Sequence, residues 1–178
     1  MDAGVAGVVG AAVGVLGGFG TAVVSSLSQN AQQRQQQTVE REARLEQGRR
    51  DAYLACIETS KGITADWWKL VNCLLSSDRT PELCRQYAET AQHGWVVFTK
   101  SADAVCIAGP NAMAAAVQAL RESMWTMDRA GTEWYECVRS GGVDRLAACE
   151  AAFREAERTR TDQGFVFLAA ARRALAAE

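Results

Sequence analysis

The chemistry this sequence could support rests first on six cysteines and a single histidine, His93. Cys73 and Cys84 stand nearly equidistant from a turn near Asp78-Arg79, and Cys137 and Cys149 likewise bracket Gly141-Gly142. If both turns join antiparallel helices, each pair meets across a hairpin, which makes Cys73–Cys84 and Cys137–Cys149 candidate disulfides. Cys56 and Cys106 form a third candidate pair by elimination. Such staples persist outside a reducing cytoplasm, so they point to an extracytoplasmic bundle. The alternative is that the cysteines are small buried apolar residues.

The cysteine spacings do not match a metal site and no second histidine exists, so neither a metal nor another cofactor is expected. Glu89 and His93 lie four residues apart, which could place an acid and a base on one helical face. The same spacing equally makes an exposed hydrogen bond. With no nucleophile elbow, paired acidic metal box or nucleotide loop in the sequence, no catalytic residue is assigned.

Charge adds a further exclusion. The formal net charge is -2, and Arg41, Arg44, Arg49 and Arg50 are interleaved with Glu40, Glu42, Glu46 and Asp51. That alternation describes a solvated helix rather than a basic stripe, so no nucleic-acid partner is expected.

The elements that must position these residues are helices. Only Pro81 and Pro110 interrupt long stretches of helix-forming residues, and runs of β-branched residues suited to a sheet are missing. Gly62 is a candidate helix end, with Thr64 capping a second helix that carries Trp67, Trp68, Val71, Leu74 and Leu75. Thr80 and Pro81 read as the N-cap and first position of the next helix, whose apolar stripe is Leu83, Tyr87, Trp95, Phe98, Ala102 and Val105. After Gly109-Pro110-Asn111, Met113, Val117, Leu120, Met124, Met127, Trp134 and Val138 recur at spacings of three or four, as a core-facing stripe does. A final run holds Leu146, Cys149, Phe153, Phe165, Phe167 and Leu168, with Gly164 as a dividing point. The alternating charges from Arg154 to Asp162 read as an exposed surface.

The N-terminus differs in character. The uncharged apolar run from Ala3 to Val24 would span roughly 33 Å as a helix, close to the hydrocarbon thickness of a bilayer. Gly10, Gly14 and Gly18 recur every fourth residue and form a flat strip suited to helix packing. The expected architecture is therefore all-α: a single transmembrane helix in a glycine-rich anchor (1–28), a helical stalk (29–50) and an antiparallel helical bundle (51–178). Arg34, Arg41 and Arg44 favour a cytoplasmic bundle under the positive-inside rule, whereas the cysteines favour the outside. The cysteines outweigh the three basic residues, which favours an extracytoplasmic bundle.

Arg49-Arg50-Asp51-Ala52-Tyr53-Leu54, together with the glycine- and alanine-rich anchor and glutamine-rich stalk, resembles small uncharacterised membrane-associated helical proteins of actinobacteria. That resemblance covers about the first third of the chain and implies a bacterial cell-membrane setting without assigning any site residue. The functional expectation is a membrane-tethered structural or interaction component, with membrane lipid and either a second copy or another membrane protein as partners. The alternatives are a subunit of an oligomeric channel or pore, and a small enzyme with a non-motif active site.

Overall fold

The computed structural model describes the backbone of residues 5–176 and the side chains of residues 32–142 and 144–176. The elements are α1 (Val5–Leu75), α2 (Pro81–Ala108), α3 (Asn111–Arg139), a short 3-10 turn (Val143–Arg145) and α4 (Leu146–Ala176). The chain divides into two units, Met1–Leu45 and Glu46–Glu178. In the first, the described side chains of residues 32–45 are all exposed.

The second unit is an all-α four-helix bundle. Cross-helix contacts fix its directions: Arg49 Nε donates to the Ala108 carbonyl at 3.1 Å, the Thr59 and Ser101 hydroxyls meet at 2.7 Å, and Cys73 lies beside Cys84. Pairing that rises along α1 while it falls along α2 makes the two antiparallel. The Asp103–Arg121 and Trp95–Trp125 contacts show the same reversal between α2 and α3, and the Cys137–Cys149 and Trp134–Phe153 contacts show it between α3 and α4. The result is up-down-up-down connectivity with short turns.

Each helix contributes one apolar stripe at spacings of three and four. In α1 it runs from Tyr53 and Cys56 through Ile63, Trp67 and Leu70 to Leu74; in α2 it comprises Cys84, Ala88, Ala91, Phe98, Ala102 and Val105. Leu83 is exposed instead, one position from the buried Cys84. The α3 stripe reads Met113, Val117, Leu120, Met124, Met127 and Trp134, all buried, with Val138 half-buried. Thr80 caps α2 through its hydroxyl, which accepts from Leu83 N at 3.3 Å, and Pro81 occupies the first turn.

Two expected breaks do not occur. α1 runs through Gly62, and α4 runs through Gly164. A helix-interior glycine costs about 1 kcal/mol against alanine, which the burial of Ile63, Trp67 and Leu70 on one side and Phe167 and Ala171 on the other outweighs.

The membrane expectation is corrected. Among the described residues no helix is long and apolar enough to cross a membrane. From residue 32 on, where the side chains of α1 are described, charged residues from Arg34 to Lys69 interrupt the apolar stretches, and each would be costly in hydrocarbon. The described residues form an all-α bundle and give no support to the single-pass location or to the lipid and membrane-protein partners; Ala3–Val24, the run expected to form the span, lies outside the residues whose side chains are described. Gly10, Gly14 and Gly18 lie outside the residues whose side chains are described.

Candidate functional site

The turn between α1 and α2 and the end of α3 close one end of the bundle, where a cleft of about 420 Å³ opens. Its apolar walls include Leu74, Pro81, Val138 and the buried Cys84, and Tyr135 stands beside them. Three arginines frame it: Arg79 from the turn, Arg85 from α2 and Arg139 from α3. Ser76-Ser77-Asp78-Arg79 carries the chain around the turn, and the Thr80 cap with Pro81 starts α2 sharply. Arg79 and Arg85 are thereby set on the same rim.

Each guanidinium is held along one edge. Arg79 Nη1 donates to the Leu74 carbonyl at 3.0 Å, one of the end carbonyls that α1 leaves without an intrahelical partner. Arg139 donates to Glu136 Oε2 from Nε at 2.9 Å and from Nη2 at 2.6 Å, and this carboxylate raises its pKa. Arg85 is 3.9 Å from Glu89. Both carboxylate partners are exposed, so water and salt screen these pairs and leave them weak. Since an arginine fork carries five donors, each retains N–H groups for another acceptor.

Cys84 lies at the inner wall, and its sulfur is 2.8 Å from that of Cys73 with no bond between them. Burial pushes the Cys84 thiol up to about 11, and its hydrogen bond with Cys73 acts in the same direction. It stays protonated near neutral pH and is a poor nucleophile there. The second hairpin repeats the arrangement. Cys137 Sγ donates to the Gly142 carbonyl at 3.1 Å, and Cys149, raised chiefly by burial, has the Cys137 thiol as its neighbour. Gly141 makes that turn with φ of +72°, a conformation side chains resist.

The expected disulfides are therefore corrected: all six cysteines are free thiols. The hairpins bring Cys73 to Cys84 and Cys137 to Cys149, but without a bond. In the third pair Cys56 is fully buried while Cys106 is exposed; burial pushes the Cys56 thiol up to about 11, opposed by a hydrogen bond with Ser101. Without oxidised cysteines, the preference for an extracytoplasmic bundle has no support. Among the described residues no group of three or more histidine, cysteine and acidic side chains could hold a metal ion.

His93 is exposed on α2, and Glu89 is exposed and turned to Arg85; neither is enclosed as an acid–base pair requires. Sequence periodicity also missed Arg160. It lies on α4 between the buried Ala156 and Phe167, with only 15% of its side chain exposed. Its position on the stripe Cys149, Phe153, Ala156 and Phe167 was the available signal. No family model, curated protein or solved structure matches this chain.

Proposed function

We propose that the chain is a non-catalytic helical binding module whose bundle-end cleft receives an organic anion, a phosphate or carboxylate carried on a compact apolar body. The observation that carries this reading is the convergence of Arg79, Arg85 and Arg139, from three separate segments, on one cleft with apolar walls. Its size falls within the ~300–1,000 Å³ of ligand pockets, which combine mainly apolar walls with a few convergent polar groups. The guanidinium forks suit bidentate contacts to phosphate or carboxylate. The exposed Glu136 and Glu89 can yield Arg139 and Arg85 to such a ligand at little cost.

Protonation of Cys84 near neutral pH and exposure of Glu89 and His93 favour binding over nucleophilic or acid–base chemistry. Isothermal titration with phenyl phosphate tests the proposal. Binding should weaken by about tenfold or more in the Arg79→Ala, Arg139→Ala double variant and should fall as salt rises. Inorganic phosphate, lacking the apolar body, should bind more weakly. Unchanged phenyl phosphate binding in the folded double variant would overturn this assignment.

A further inference from the structure

A second recess lies between α1 and α4 in the body of the bundle. Its cavity is about 160 Å³, and its walls include Ile57, Leu120, Phe165, Phe167 and Leu168. The polar groups at its lining are Ser60 and Lys61 from α1 and Arg160 and Thr161 from α4. A volume near 150 Å³ is that of a cavity known to accept one benzene ring.

Arg160 distinguishes this recess from an ordinary packing defect. Its Nη2 reaches Glu157 Oε1 at 3.2 Å, while its buried Nε has no hydrogen-bond partner. Glu157 is itself shared, because the same Oε1 accepts from the Thr161 hydroxyl at 2.9 Å. A buried donor left without an acceptor is costly. Ser60 Oγ donates to the Ile57 carbonyl at 2.9 Å and keeps acceptor capacity. Lys61 and Arg160 set against Glu157 leave one net positive charge, which one carboxylate balances.

Gly164 leaves the space open. A Cβ placed there would meet nothing within 4 Å, so no neighbouring group requires a glycine at this helix-interior position. A branched side chain in its place would project into unoccupied volume.

We infer that this recess binds a small monocarboxylate with a single aromatic ring or short branched tail, its carboxylate paired with Arg160 and its apolar body between α1 and α4. The site is separate from the bundle-end cleft and independent of the function proposed for it. Lys61 adds attraction at the rim, while the apolar walls select against strongly hydrated inorganic anions.

Amide NMR titration of the full chain with sodium benzoate, and separately with neutral benzamide, tests the inference. Benzoate should shift the Gly164, Phe165 and Phe167 amides saturably, and benzamide should bind about tenfold more weakly because it lacks the charged contact. Arg160→Met, which keeps an unbranched apolar stem, and Gly164→Val, which fills the space, should each abolish those shifts. Unmoved recess amides, equal binding of benzamide, or retained benzoate shifts in Arg160→Met would overturn the inference. If neither variant folds, the benzoate and benzamide comparison on the unmodified chain decides it.

Discussion

Gly131 and Gly164 both sit inside long helices, on opposite sides of the packing problem. A Cβ on Gly131 would collide with the Trp67 ring, so glycine there lets α3 approach the largest buried side chain of α1. Trp67 is anchored by its Nε1, which donates to Asp128 Oδ1 at 3.2 Å, and it packs 6.3 Å, centroid to centroid, from Phe153. Gly164 meets nothing and borders a recess. One glycine permits tight packing; the other leaves volume. Identical residue type and helical context therefore yield opposite energetic consequences, decided by what the neighbouring helix presents.

The largest expected effect comes from removing the group that makes Gly131 necessary. Trp67→Ala should destabilise the bundle by about 3–5 kcal/mol through lost burial and the cavity left behind, with Asp128 losing its indole donor as well. Urea unfolding followed by far-ultraviolet circular dichroism would measure it. A loss below about 1 kcal/mol would break the tight-packing half of the comparison.

Gly131→Ala should cost about 1–3 kcal/mol from overpacking, despite the helix propensity that alanine adds. In the Trp67→Phe background, where the ring is smaller, that cost should shrink. A double-mutant cycle reads this coupling, and strict additivity would show that Gly131 does not serve the indole.

Asp128 sharpens the same contact through pH. Burial raises its pKa, and the Trp67 hydrogen bond only partly opposes this. A carboxyl whose folded pKa is raised contributes most below its unfolded value near 3.9, and loses that contribution as pH rises through the folded value. Asp128→Asn keeps an oxygen acceptor for the indole and removes the titration. Its stability relative to the parent should therefore improve as pH rises from about 3 to 7. A constant difference across that range would contradict the assignment.

Gly164→Ala carries the smallest effect and the opposite sign. It should stabilise the chain by about 0.5–1 kcal/mol by restricting the unfolded backbone, because the added methyl meets open space. Destabilisation, observed as a lowered unfolding midpoint, would mean that the site needs glycine after all.

Much of the bundle was legible because its signals are local. Thr80-Pro81 marks a helix start through capping geometry, and the α3 stripe from Met113 to Trp134 repeats with the helical period. Cysteines bracketing short turns were placed together because a hairpin opposes residues equidistant from its bend. Their oxidation state was not legible, since position in a hairpin does not create a bond. Gly62 suggested an end where packing carries α1 onward, and the apolar run near the N-terminus suggested a span that no described helix provides. Arg160 disappeared into an alternating charge pattern, although its register follows Phe153 and Ala156 into the core. The bundle-end cleft was hidden for a different reason: Arg79, Arg85 and Arg139 converge only when two turns and three helices are assembled.

Carbon-detected NMR of the arginine side chains during phenyl phosphate titration tests the central claim most directly. The account predicts saturable shifts of the Arg79 and Arg139 guanidinium signals, accompanied by the Tyr135 ring and opposed by added salt, with Arg160 unmoved. Binding that shifts none of the cleft arginines, or no saturable binding at all, would contradict it.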